Sequence, residues 1–178
     1  MSRLVINLFA LICLSACAGL PVTTTAELLT LSPPSSTPAQ QNTESTPYPS
    51  PLIQENERWI EIDLQAQKLR LYEGKTMLDE YLAGSGVNQS PQTTTYPGIF
   101  EITSKYKGPI ETAPGVYVTD VLEFDPEHGN GIHSLPRDAE GNILDERLGQ
   151  PVSAGCVRVG EAAIVYDFAH LGMTVWVH

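Results

Sequence analysis

Apolar and polar residues alternate over Trp59-Ile-Glu-Ile-Asp-Leu64, the pattern of a strand with one face on a core and the other in water. The alternation resumes over residues 69–72 after a polar turn at 65–67, and Glu73-Gly74-Lys75 marks a second turn. Residues 76–83 then read as a third strand. A Gly/Ser/Thr/Pro-rich loop covers 84–98, and a strand follows at 99–103. The long β-branched run 115–124 predicts a central strand that bends midway. Residues 131–134 form another short strand, and 173–177 close the chain with one more. Only 161–171 has helical character: Ile164, Phe168 and Leu171 recur at i, i+4 and i+7, and Gly172 suits a C-terminal cap. The expectation is a mainly β domain over 58–178, with one helix late in the chain.

The first part of the chain is patterned differently. Arg3 precedes an apolar run, residues 4–14, that is too short for a membrane span of roughly 20 residues and fits a secretory signal. The run ends in Leu14-Ser15-Ala16-Cys17, which resembles the lipobox of bacterial lipoproteins. That resemblance implies removal of 1–16 and lipidation of Cys17, which would anchor the protein to a membrane in the bacterial envelope. The other reading is an ordinary signal peptide that leaves Cys17 a spare thiol. Seven of the fourteen prolines fall within 18–57, with many Ser and Thr, so 17–57 reads as the lipidated Cys and a disordered tether. About 40 such residues span roughly 35 Å or more as a coil.

Charge narrows the partners. The chain of 178 residues carries a net charge of −11, which repels nucleic acid and anionic lipid from the folded part. No zinc-ribbon, Walker or dinucleotide-binding pattern is present. Of three cysteines, Cys13 lies in the apolar signal run and Cys17 at the lipidation site, leaving Cys156 as the free thiol of the mature protein. An unpaired thiol in an oxidising compartment invites damage unless it has a use. A thiol near pKa 8.5 needs a base to become a nucleophile at neutral pH. Among four histidines, His133 sits in a short apolar strand and His128 in a Gly-Asn-Gly turn; either could serve. A buried structural thiol and a zinc site from His128, His133 and Cys156 are the competing readings.

Gly131-Ile-His-Ser134 followed by Ser153-Ala-Gly-Cys-Val-Arg158 resembles the signature of the L,D-transpeptidase family, the YkuD-type domain. The strand at 59–64, the Gln67-Lys-Leu-Arg-Leu-Tyr-Glu-Gly74 hairpin, the Ser85-Gly86 turn and the Thr95-Tyr-Pro-Gly-Ile-Phe-Glu-Ile102 segment resemble the start of that domain. The resemblance covers 58–178 and implies a β-sandwich-like fold. It implies Cys156 as nucleophile, His133 as general base, and Ser134 as the residue whose carbonyl or hydroxyl orients the imidazole. It also implies Ser153 and Gly155 as turn-shaping residues, with backbone N–H groups around Gly155 and Cys156 forming an oxyanion hole. Arg158 would order the loop or meet a substrate carboxylate, and Tyr117 would line the cleft or pack in the core.

Two features depart from the pattern. Ala154 stands where a His is usual, and nineteen residues separate His133 from Ser153, an acidic stretch that reads as a lid hairpin or a solvated loop. The implied reaction is 3→3 cross-linking of peptidoglycan stem peptides through a Cys156 thioester, with no cofactor and with sensitivity to carbapenems. An L,D-carboxypeptidase and a non-catalytic wall-binding lipoprotein are the alternatives.

Overall fold

The computed structural model describes residues 50–178, so the expectations for the signal segment, for Cys17 and for most of the tether lie outside the described residues. The first three strands form a meander: β1 (Arg58–Asp63), β2 (Lys68–Glu73) and β3 (Thr76–Gly84). Their alternation sends Ile60, Ile62, Leu69 and Leu71 into the core. The turn at Gly74 must be glycine: its φ is +56°, and a Cβ there would lie 1.9 Å from the Glu55 carbonyl oxygen. Trp59 Nε1 closes this corner by donating to the Gly74 carbonyl at 2.8 Å.

The remaining elements are β4 (Gly98–Glu101), β5 (Ser104–Tyr106), β6 (Ile110–Ala113), β7 (Val116–Val118), β8 (Val121–Asp125), β9 (Asn130–His133), β10 (Val157–Val159), α1 (Ala162–Phe168) and β11 (Thr174–Val177). A nine-stranded sheet runs β4-β11-β1-β2-β3-β10-β9-β8-β5, and β6-β7 is a separate ribbon. The β1/β11 and β9/β10 pairs are parallel. The sheet curls so that β4, at one end, meets β8, next to the other end: Phe100 on β4 and Phe124 on β8 pack edge to face at 5.4 Å. Among the described residues the fold is therefore mainly β with one α-helix, as expected.

Two elements differ from their sequence pattern. The run 115–124 is not one strand but two. Asp120 adopts φ 55°, which breaks the ladder; β8 continues in the main sheet, while β7 turns away to pair with β6. The helix is shorter than 161–171 and buries another face. Ala162, Val165 and Ala169 point inward, whereas Ile164 and Leu171 are 54% and 63% exposed. After Phe168 the backbone becomes extended, and Lys105 Nζ donates to the carbonyls of Tyr166 and Ala169 at 2.7 and 2.5 Å. A helix of two turns, capped by a lysine from another strand, cannot present an i+7 stripe.

Candidate active site

Parallel pairing of β9 with β10 sets Val157 against Ile132 and Arg158 against His133. Side chains repeat every second residue along a strand. Cys156, one step before β10, therefore shares a face with Arg158 and His133. The thiol and the imidazole line the same two cavities, one of about 160 Å³ and one of about 310 Å³.

His133 is 9% exposed and its Nδ1 lies 2.6 Å from the Ser134 carbonyl oxygen. A carbonyl only accepts, so Nδ1 carries the proton and Nε2 keeps the basic lone pair. Burial pushes the imidazole below its ordinary pKa; the Ser134 carbonyl opposes this and the Arg158 charge adds to it. The half-buried Cys156 thiol is pushed up, first by burial and also by the charge of Glu123, against a hydrogen bond from the Gly131 amide. Both shifts favour a neutral thiol beside a neutral imidazole at rest. Ser134 orients the ring through its carbonyl, since its hydroxyl is engaged elsewhere. Thr119 N–H donates to Ser134 Oγ at 2.9 Å, that Oγ donates to the Leu135 carbonyl, and Ser134 N–H donates to the Thr119 carbonyl.

The turn carrying Cys156 is pinned from several sides. Ser153 Oγ donates to the Cys156 carbonyl and accepts the Gly155 N–H at 3.2 Å. Gly155 has φ +115°, and a Cβ there would sit 2.4 Å from Asn130 Oδ1. Thr95 Oγ1 donates to the Gly155 carbonyl at 2.6 Å and accepts the Gly86 N–H. Asn130 Nδ2 donates to the Thr94 carbonyl at 2.9 Å. Ser153 and Gly155 thus shape the turn. The Gly155 N–H, one of the amides expected around the nucleophile, is engaged by Ser153 Oγ. Sequence reasoning gave no role to Asn130 or Thr119, and took in Thr95 only as the first residue of the 95–102 segment. Their residue types invite turn hydrogen bonds, but no local spacing ties them to a partner so far along the chain.

Arg158 reaches into the loop. Its Nη1 pairs with Asp145 Oδ2 at 2.7 Å and its Nη2 donates to the Val152 carbonyl at 3.0 Å. Arg147 and Arg158 hold the Asp145 carboxyl well below the usual carboxylate range. The connection after Ser134 contains a small hairpin. Arg137 bridges to Ile143, Asp138 accepts from Asn142, and the Arg137 backbone pairs with Tyr117 of β7.

Tyr117 does not line this cleft, one of its two expected places. Val116 and Val118 line the cleft beside Cys156, so alternation turns Tyr117 to the other side of β7. There it lines a separate cavity of about 480 Å³ with Pro109 and Arg137. His128 is also drawn elsewhere: its Nδ1 lies 2.9 Å from Asp125 Oδ2 and its ring stacks on Tyr96 at 3.9 Å. The structure therefore brings His133, not His128, to the thiol. Among the described residues no three His, Cys, Asp or Glu side chains converge as metal ligands would.

Residues 57–177 match the YkuD family, described as the L,D-transpeptidase catalytic domain. No curated protein matches the chain. An L,D-transpeptidase from Mycobacterium smegmatis is similar in structure, with TM-score 0.54 and 19% identity over 68% of this chain and 58% of that one. An L,D-transpeptidase from Xylanimonas cellulosilytica gives TM-score 0.54 and 22% identity over 73% and 64%. An LD transpeptidase in complex with imipenem gives TM-score 0.53 and 16% identity over 68% and 58%. The chain spans about three-fifths of the length of these solved structures.

Proposed function

The chain belongs to the YkuD family of L,D-transpeptidase catalytic domains, and from that premise we propose that it is a peptidoglycan L,D-transpeptidase forming 3→3 cross-links through a Cys156 thioester. The observation that carries this reading is the β9/β10 register. It puts the thiol and the imidazole on one face, with Nδ1 committed to Ser134 and Nε2 left to accept a proton.

In acylation, Nε2 of His133 takes the Cys156 proton as Sγ bonds to the carbonyl carbon after the third residue of a tetrapeptide stem. The amide C–N bond breaks and the imidazolium returns the proton to the leaving D-alanine amine. An amine of a second stem then attacks the thioester; the C–S bond breaks and sulfur regains a proton through His133. Water in place of the amine makes the product of an L,D-carboxypeptidase. Carbapenems, β-lactam acylating agents, are proposed as inhibitors at the same sulfur, a reading supported by the similar structure in complex with imipenem.

The test incubates the full chain with a tetrapeptide-containing muropeptide and follows D-alanine release and the acyl-enzyme mass by mass spectrometry. The parent protein is expected to release D-alanine and Cys156→Ala to release none. No release by the parent ends the reading, and a product lacking only D-alanine, with no dimer, assigns the carboxypeptidase. Anchoring through a lipidated Cys17 belongs to the same proposal. Cys17→Ala is expected to move the protein from the membrane to the soluble fraction, and its retention there would count against lipidation.

A further inference from the structure

We propose that Glu123 recognises the cationic amine of the acyl acceptor, through the smaller of the two cavities that meet at Cys156. This inference rests on the acyl-transfer reading above. Glu123 on β8 pairs across the ladder with Gly131 on β9. Gly131 in turn stands opposite Cys156, one step before the Val157–Ile132 pair. The three positions form a row across neighbouring strands and share a face. Strands lie about 4.8 Å apart, so the backbones of Glu123 and Cys156 are roughly 10 Å apart, within reach of one small molecule between their side chains. Gly131 places no side chain between them, and it cannot acquire one cheaply: a Cβ there would come within 2.7 Å of the Leu122 carbonyl oxygen.

The carboxylate is positioned but not neutralised. Its Oε2 accepts from Ser104 Oγ at 2.6 Å and from Thr103 Oγ1 at 3.4 Å. Both donors are uncharged, and no Lys or Arg lines this cavity. Its other walls are Tyr106, Val118, Val121, His133 and Cys156 among others, so Glu123 is its one carboxylate. The second cavity is about twice as large and has Arg158 in its wall. The nucleophile therefore lies between two approaches of opposite character. The roomier one suits the donor stem. The narrow one, about 160 Å³, suits an unbranched aminoalkyl arm ending in an ammonium. A carboxylate there attracts the charged amine and disfavours a second carboxylate.

The chemistry balances. The acceptor arrives as an ammonium paired with Glu123 and loses one proton to water. The neutral amine then forms a C–N bond with the thioester carbonyl, the C–S bond breaks, and the amine's second proton passes through His133 Nε2 to sulfur. The products are an amide and the free thiol.

The test uses the full chain with a tetrapeptide muropeptide as donor and two acceptors at neutral pH. One is a muropeptide with a free diamino-acid amine, which is cationic; the other is hydroxylamine, which is uncharged. Glu123→Gln, which keeps an acceptor for Ser104, is expected to raise KM for the cationic amine about tenfold with kcat little altered. The ratio of amine transfer to hydroxylamine transfer falls by the same factor. An unaltered ratio overturns the inference, and so does an equal loss on both acceptors, because either would make Glu123 a structural residue. These outcomes leave D-alanine release by the parent in place. Absence of that release from the parent protein overturns the acyl-transfer reading, and the role of Glu123 with it.

Discussion

Residues 153–156 and the connection 135–152 both border the cleft, yet they are held by different kinds of bond. The cysteine turn is held from far along the chain. Thr95 bonds Gly155 across 60 residues, and Asn130, whose amide packs against Gly155, reaches Thr94 across 36. The connection is held mainly by its own neighbours. Asn142 bonds Asp138 and Arg137 bonds the Gly141 carbonyl, four residues apart in each case, and Arg147 bonds Asp145 at two. The first set is largely buried and the second exposed. An unmet buried polar group costs about 1–3 kcal/mol, whereas an exposed pair is worth at most about 1. The nucleophile is thus placed largely by the folded sheet, and much of its flank by local turn chemistry, with Arg158 joining the two through Asp145 and Val152.

The largest test of this contrast is Gly155→Ala. The new methyl must enter the space of Asn130 Oδ1 at a φ that only glycine adopts freely. The expected loss is about 3 kcal/mol in urea unfolding, with at least a hundredfold loss of D-alanine release, since small displacements of a reacting atom are costly. A fall of under about 0.5 kcal/mol would erase the difference between the two regions.

The next test reads ionisation, which the buried half alone perturbs at the reacting groups. Iodoacetamide labelling of Cys156 is expected to keep accelerating beyond pH 9, about tenfold per unit below the midpoint, because the thiol is raised. D-alanine release should fall only below pH 6.5, where the lowered imidazole takes up a proton. The sign for stability agrees. His133 binds its proton less readily folded than unfolded, so stability is full above about pH 6.5 and declines as acid forces protonation. Labelling that is already maximal at pH 7 would indicate a thiolate–imidazolium pair instead. The smallest effect belongs to the exposed side. Asn142→Ala removes the side-chain hydrogen bond to Asp138, leaves the backbone one, and should change urea stability by no more than about 0.5 kcal/mol, with D-alanine release retained.

Much of the fold was legible because alternation is a local property. The strands 59–64, 69–72 and 76–83 lie within one residue of β1, β2 and β3. Where a long-range pairing competes with local pattern, the reading failed. The run 115–124 is uniformly β-prone, yet Asp120 divides it because β7 has a partner in β6 that no periodicity announces. Tyr117 is on the wrong side of β7 for the same reason. The helix face was misjudged because Lys105, far upstream, helps end α1 after two turns.

The sequence by itself determined the strand-forming segments, the lone thiol of the folded part, and the histidine and cysteine motifs that mark the family. Those follow from residue type and spacing. Only the tertiary structure decided that Ser134 orients the ring through its carbonyl rather than its hydroxyl, and that the Gly155 amide donates to Ser153. It also placed Glu123 across Gly131 from the thiol. The placing of Glu123, and of the thiol on the face of the imidazole, depends on the register between strands that are distant in the chain. Register follows from closure of the whole sheet around one core, and residue order alone does not state it.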